Sequence, residues 1–200
     1  AKKLVTACAE GYRMWKVDYP KMLDMATADL GFEVLHILEY ADEAIRNGSL
    51  KLTKPVEVRA TYHDACSVSR LCDPWTPWKG TRGWMGTVEP RLKRRRGRGG
   101  LYAQPRNILK AIPGLEYKEM VRFRENAFCC AAGRGTREAF PELASSSAKY
   151  RLEEVREVGA EMLISSCPWC KDNFRQAVKE NGDSVRVMDI TEVIAASMEA

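Results

Sequence analysis

The sequence predicts a layered α/β fold, built from short, mostly parallel sheets in two pseudo-repeated cysteine-rich halves of which the first is incomplete. Three observations predict it. Short apolar or alternating runs suited to buried strands alternate with longer segments of helical character along most of the chain. An internal echo aligns Leu4-Val5-Thr6-Ala7-Cys8-Ala9-Glu10-Gly11 with Leu163-Ile164-Ser165-Ser166-Cys167-Pro168-Trp169-Cys170, and His36-Ile37-Leu38-Glu39 with Asp189-Ile190-Thr191-Glu192. Cysteines recur at the expected strand ends and turns, where an open α/β sheet gathers its ligands.

Residues 3–7 read as a short buried strand and residues 12–30 as helix, with Pro20 expected to start a fresh segment rather than sit inside a helix. Met14, Trp15, Val17, Met22, Leu23, Met25 and Leu30 supply a buried face there, and the methionines are read as core. Residues 33–36 form a second strand that His36 ends, and residues 37–47 a helix stopped by Gly48. Residues 56–62 alternate as a half-buried strand and deliver His63-Asp64-Ala65-Cys66 to a loop. Helix is expected over 105–111, strand over 115–120, and helix over 140–158 with Pro141 in its first turn. Strand over 161–165, helix over 168–180, strand over 185–188 and helix over 191–198 complete the pattern. Residues 1–52 are read as the C-terminal part of a first, degenerate repeat and residues 53–200 as a complete one. With no initiating Met and the head of the first repeat missing, the chain is expected to be a piece of something longer.

Two hundred residues, 45% hydrophobic and 30% charged, can bury a sizeable core and exceed what a disulfide-stapled miniprotein needs. No apolar run approaches the roughly 20 residues of a membrane span, so a cytoplasmic protein is expected. The net charge of +5 is local: residues 71–100 hold eight basic residues, Lys79, Arg82, Arg91, Lys93, Arg94, Arg95, Arg96 and Arg98, against Asp73 and Glu89. The rest of the chain is near neutral, which removes the case for nucleic-acid binding. The same segment carries Trp75, Trp78 and Trp84 among prolines and glycines. It is expected to be a long functional loop, either a solvated basic loop with its rings tucked in or a docking surface.

Seven cysteines in such a chain point to metal or redox work before structural disulfides. Cys66 is followed after 62 residues by the adjacent pair Cys129 and Cys130, and after 36 more by Cys167 and Cys170 in a C-x-x-C at a helix start. The helix N-terminus favours thiolate at the C-x-x-C. Adjacent cysteines bridge each other only with strain, yet both can reach one metal assembly. A fifth thiol is one more than tetrahedral zinc or an ordinary cubane cluster requires, so the count leans toward an iron-sulfur assembly, with zinc and reduced structural thiols as alternatives. Cys8 and Cys72 are read as ordinary thiols, His63 as a hydrogen-bonding residue near the thiols with direct ligation as the alternative, and Arg134 as either a solvated turn residue or one facing an anionic substrate.

The motifs Tyr62-His63-Asp64-Ala65-Cys66, Asn126-Ala127-Phe128-Cys129-Cys130 and Ser166-Cys167-Pro168-Trp169-Cys170 together resemble the cysteine-rich CCG-domain family, which includes heterodisulfide reductase catalytic subunits. Pro74-Trp75-Thr76-Pro77-Trp78, Arg94-Arg95-Arg96-Gly97 and Pro105-Arg106-Asn107-Ile108-Leu109-Lys110-Ala111-Ile112-Pro113-Gly114 look like the iron-sulfur subunit of the membrane complex associated with dissimilatory sulfite reduction. The resemblance implies a noncubane [4Fe-4S] cluster held by Cys66, Cys129, Cys130, Cys167 and Cys170, which makes or splits a disulfide in two one-electron steps. It implies as partners a disulfide or thiol substrate, such as a small sulfur-carrier protein, a ferredoxin-like cluster domain or subunit, and a quinone-linked, cytochrome b-type membrane subunit. A second reading is an electron-relay subunit like those of glycolate or lactate oxidation, with no substrate at the centre.

Two positions depart from the family pattern. Ala131 stands where glycine follows the vicinal pair, which predicts a strained backbone if that position needs positive φ. Gly11 stands where a second cysteine would complete a C-x-x-C with Cys8, so the first half lacks a full ligand set.

Overall fold

A computed structural model describes residues 1–92 and 97–198. Lys93, Arg94, Arg95 and Arg96, half of the basic cluster, lie outside the described residues.

The first unit is a parallel strand pair with helices. Strand β1 (Lys3–Thr6) leads into α1 (Ala9–Arg13), which widens through a π-helical turn at Met14–Asp18 and continues as α2 (Tyr19–Met22). Strand β2 (Glu33–His36) pairs with β1 from Lys3 opposite Glu33 to Thr6 opposite His36, and α3 (Ile37–Arg46) follows directly. The sequence rules start a separate segment at Pro20; instead the helical path passes through it. The reason is local. Proline has no N–H for the carbonyl four residues back, at Lys16, and its ring crowds that carbonyl. The π turn opens the backbone just ahead of Pro20, and the Thr27 hydroxyl donates to the Lys16 carbonyl at 2.6 Å in place of the missing donor.

The second unit begins with β3 (Val58–His63), followed by a two-stranded antiparallel hairpin, β4 (Thr81–Arg82) and β5 (Val88–Glu89). Helix α4 (Ala103–Ala111), β6 (Leu115–Tyr117), α5 (Thr136–Ala139) and α6 (Pro141–Glu157) come next. Strand β7 (Met162–Ser165), α7 (Pro168–Asn181), β8 (Arg186–Asp189) and α8 (Ile190–Ser197) close the chain. The four long strands form one parallel sheet in the order β6-β3-β7-β8. All four residues of β7 are buried, as a strand covered on both faces requires, and Met162-Leu163-Ile164 supply its apolar run. From β3 the chain goes to β6 on one side, whereas from β7 it goes to β8 on the other. The order therefore reverses between β3 and β7, and the crevice at their carboxyl ends is where such sheets bind ligands.

Helices α6 and α7 pack together on this sheet, and α3 of the first unit packs against α4 of the second. Leu152, Val155, Phe174, Leu109 and Ile108 are fully buried between layers. Backbone N–H groups of Thr53 and Lys54 donate to the Ser197 carbonyl, and the Ser197 hydroxyl donates to the Lys54 carbonyl at 2.8 Å, fastening the segment between units to the final helix.

The basic segment is more ordered than a plain loop. Asp73 closes its base by accepting from the Gly97 and Gly99 N–H groups at 2.8 and 2.7 Å. The Trp75 N–H donates to Thr27 Oγ1 at 2.8 Å and the Thr27 N–H to the Trp75 carbonyl at 2.9 Å, which pins the segment to the first unit. Trp78 Nε1 donates to the Pro90 carbonyl, while Trp84 at the hairpin tip is 87% exposed. Of the two readings of this segment, the one with tucked rings does not hold at Trp84. Among the described residues no helix is long and apolar enough to cross a membrane.

The end of β3 is held by a buried ion pair. Asp64 accepts from Arg106 Nη1 and Nη2 at 2.8 and 3.0 Å and from the Arg124 N–H at 2.7 Å, while Arg106 also donates to Glu119. Asp64→Ala leaves Arg106 paired with Glu119 but removes the partner of two guanidinium N–H groups and of the Arg124 N–H, so it should lower unfolding free energy by about 1–3 kcal/mol. Chemical denaturation of the two proteins checks this; a loss under about 1 kcal/mol would contradict it.

Candidate metal centre

Five thiols meet at the β3/β7 crevice. Register places His63 opposite Ser165 at the last positions of paired strands, so Cys66, three residues beyond β3, and Cys167, two beyond β7, emerge at the same edge. Cys167 is the N-cap of α7 and Cys170 lies in its first turn, with Pro168 at the start where its missing N–H costs nothing. The loop before α5 brings in Cys129 and Cys130. Cys130 Sγ lies 3.0 Å from Cys170 Sγ. Further thiol contacts join Cys66 to Cys129, Cys129 to Cys130, and Cys170 to Cys167, so all five predicted residues form one continuous chain of sulfurs. All are free thiols; Cys130, Cys167 and Cys170 are buried, Cys66 is half-buried and Cys129 is exposed. They line a cavity of about 160 Å³ with Leu71, Trp169, Glu10, Arg134 and the Ala131–Gly133 turn.

The thiols share protons unequally. Cys129 is held far below the usual thiol range by hydrogen bonds from Cys130 and Cys66, with help from the Ala131 N–H at 3.4 Å. Cys167 is also lowered, first by the Cys170 thiol and then by the Cys170 and Trp169 N–H groups at the start of α7. Cys130 is pushed up to about 12 by the neighbouring Cys129 thiolate. Cys66 rises beside Cys129, and Cys170 rises between Cys130 and Cys167. Cys129 is thus the thiol most disposed to lose its proton, Cys167 is shifted the same way, and the other three are shifted upward, a donor set that suits a thiolate-bound metal-sulfur group once the remaining protons leave.

The Ala131 expectation holds. Its φ is +55°, the left-handed region where glycine is favoured, and Arg134 and Gly135 that follow are also positive. Gly133 leaves room for another group: a Cβ there would stand 2.0 Å from Glu10 Oε1, which reaches the cavity from the first unit. Of the other singled-out residues, Cys8 and Cys72 stay outside the cavity lining, and Cys72 Sγ donates to the Val68 and Ser69 carbonyls. His36 ends β2 and caps α3, its Nδ1 accepting from the Leu38 N–H. Arg134 lines the cavity, with Asp18 3.9 Å away.

Several supports carry no mark in the sequence. Ser147 Oγ donates to the Cys129 carbonyl at 2.9 Å, and Asn173 Nδ2 donates to the Cys130 carbonyl at 2.8 Å, fixing the vicinal pair from α6 and α7. Arg70 donates to the Ala127 and Glu125 carbonyls, tying the Cys66 segment to the loop that carries the pair. Tyr62 and Ser166 hydroxyls lie 2.7 Å apart across β3 and β7. A polar residue in a helix, such as Ser147 or Asn173, gives no sequence signal of such a role, whereas Tyr62, Asp64 and Ser166 belong to the quoted cysteine motifs, where a signal existed.

Two outcomes follow from this geometry. Ala131→Gly should stabilise the metal-free chain by about 0.5–1 kcal/mol, the relief of left-handed strain outweighing the entropy of glycine; a destabilised variant in denaturant titration would contradict it. Brief iodoacetamide treatment of metal-free protein near neutral pH should label Cys129 ahead of Cys66, Cys130, Cys167 and Cys170, because it is the exposed thiolate. Peptide mass spectrometry reads the order, and earlier labelling of Cys66 would refute the proton distribution.

Comparison with known proteins gives the same direction. A family model described as a cysteine-rich domain, CCG, matches residues 92–175. One of the subunits of the dihydromethanophenazine:CoB–CoM heterodisulfide reductase of Methanosarcina barkeri is 31% identical over 198 residues, covering 99% of this chain and 41% of that protein. The probable iron-sulfur-binding oxidoreductase FadF of Bacillus subtilis is 30% identical, covering 98% of this chain and 24% of its own length. The EtfAB:quinone oxidoreductase of Syntrophomonas wolfei is 30% identical, covering 99% and 24%. The chain thus spans about two fifths or less of these relatives. Four of the five convergent thiols, Cys129, Cys130, Cys167 and Cys170, fall within the stretch over which the chain is similar to the CCG cysteine-rich domain.

Proposed function

We propose that this chain is the disulfide-handling domain of a heterodisulfide reductase-like iron-sulfur oxidoreductase, with Cys66, Cys129, Cys130, Cys167 and Cys170 holding a noncubane [4Fe-4S] cluster. The observation that carries the reading is the unbroken run of five thiols from three distant stretches of chain. When bound, the cluster would supply electrons one at a time, so that a disulfide takes up two electrons and two protons to give two thiols. The chain's own residues do the rest. Leu71 and Trp169 give the cavity apolar walls suited to a thioether- or disulfide-like group, and Cys129 keeps one side open to solvent. Arg134 at the lining would face an anionic group on the substrate, and Glu10 sets the opposite charge at the same rim.

Residues 1–52 would be the tail of a degenerate cysteine-rich repeat and residues 53–200 a complete one. Both β1-β2 and β7-β8 are parallel pairs, and each ends in the same capping box: His36 with Glu39, and Asp189 with Glu192. In the whole protein the partners would be a sulfur-carrier protein or other thiol substrate, a ferredoxin-like cluster domain or subunit, and a cytochrome b-type membrane subunit, in sulfur metabolism of the sulfite-reducing kind. A relay role without substrate is the second reading, favoured by the resemblance to a quinone oxidoreductase.

Anaerobic reconstitution with iron and sulfide, followed by oxidation with and without a small thiol, separates the two. The proposal expects a paramagnetic resonance signal that appears or shifts only with thiol; an identical spectrum in both samples would leave the relay, and failure to retain acid-labile sulfide would sink the cluster itself.

A further inference from the structure

His63 is fully buried at the end of β3, yet it is absent from the cavity lining. One of its ring nitrogens, Cys130 Sγ and Cys170 Sγ lie within 4.8 Å of one another. Phe174 meets the imidazole edge-on at 4.8 Å between centroids, which holds the ring in one plane. Behind it stands Arg151, whose side chain is 0% exposed. Arg151 Nε donates to His63 Nδ1 at 3.3 Å, its Nη1 donates to the Arg122 carbonyl at 2.7 Å, and Glu154 pairs with it. Glu154 in turn pairs with Arg122, which reaches solvent.

A guanidinium can only donate, so Nδ1 must present its lone pair and the imidazole proton must reside on Nε2. Direct metal ligation by Nε2 would put the ring proton on Nδ1, where it would meet the Arg151 N–H head-on. Metal-binding histidines show the reverse arrangement, the other nitrogen donating to an acceptor. We propose that His63 is a positioning residue rather than a ligand: Arg151 locks it as the neutral Nε2–H form, and it gives that N–H to sulfur at the Cys130/Cys170 side of the centre. Hydrogen bonds to the sulfurs of such a centre stabilise its more negative, reduced form and raise its potential. The fold thus sets the electron affinity of the centre from outside the cavity lining, through a buried cation that is not among the residues lining it.

The tautomer is testable on metal-free protein, while the effect on potential rests on the cluster reading above. Long-range proton-nitrogen spectra of ¹⁵N-histidine-labelled chain should show His63 as the neutral Nε2–H form near neutral pH; the Nδ1–H form or an imidazolium would overturn the proposal whether or not a cluster forms. In reconstituted protein, His63→Leu should keep the wild-type iron and sulfide content but lower the midpoint potential, with His63→Gln recovering part of the shift through its amide N–H. Loss of iron in folded His63→Leu would mark His63 as a ligand, and an unchanged potential would reduce it to packing; either result refutes the assignment. Should His63→Leu fail to fold, pulsed resonance of wild-type protein with ¹⁵N-histidine decides: a weak nitrogen coupling is expected, and a strong one, typical of a bound imidazole, would overturn it.

Discussion

The pairing of β3 with β7 is the constraint on which the rest depends. Ala60 lies opposite Met162 and His63 opposite Ser165, so two parallel strands end together and release their chains in opposite directions. That divergence opens a crevice, and the segments that leave it carry Cys66 on one side and Cys167 on the other. A slip of one residue would swap the side chains between the two layers that cover the sheet and part the cysteines. The apolar run of β7, with no exposed position, is what makes such a slip costly.

Around this crevice the chain spends buried charge. Arg106 and Arg151 are both buried, one clamped by Asp64 and Glu119, the other between His63, Glu154 and the Arg122 carbonyl. Ion pairs of this kind contribute little net stability compared with apolar packing, but they hold backbone segments in one arrangement. Asp64 fixes the turn that precedes Cys66 and, through the Arg124 N–H, the loop that leads to Cys129. The five thiols are therefore preorganised by neighbours that are themselves immobilised, a condition for a metal-sulfur centre with a defined geometry.

The first unit contributes more than bulk. Glu10 reaches the cavity rim because Gly133 has no side chain, and Thr27 both replaces the donor lost at Pro20 and secures the basic segment at Trp75. The surface that carries Trp84 and the basic side chains is thus anchored to the same framework that shapes the site, although its tip stands out in solvent.

Much of the molecule is legible in its residues. Strand and helix alternation, the helix starts at Pro141 and Pro168, and the end of β2 at His36 follow from local rules, since each depends on a residue and its near neighbours, while the glycine-like turn at Ala131 is expected from the family resemblance. The continuous helical path through Pro20 does not, because its compensation comes from Thr27 on a later turn. The short hairpin in the basic segment also escapes those rules, its strands being two residues each. Spacing of the cysteines picks out the five thiols that meet in the crevice, since residue types and intervals survive in one dimension. Their order of contact, the thiolate character of Cys129, the Asp64–Arg106 clamp and the Arg151 bond that sets the His63 proton were decided by tertiary structure alone. Those properties depend on which atoms lie within a few ångströms of one another across long separations in the chain, and on how much water is excluded between them, and neither quantity is written in any local stretch.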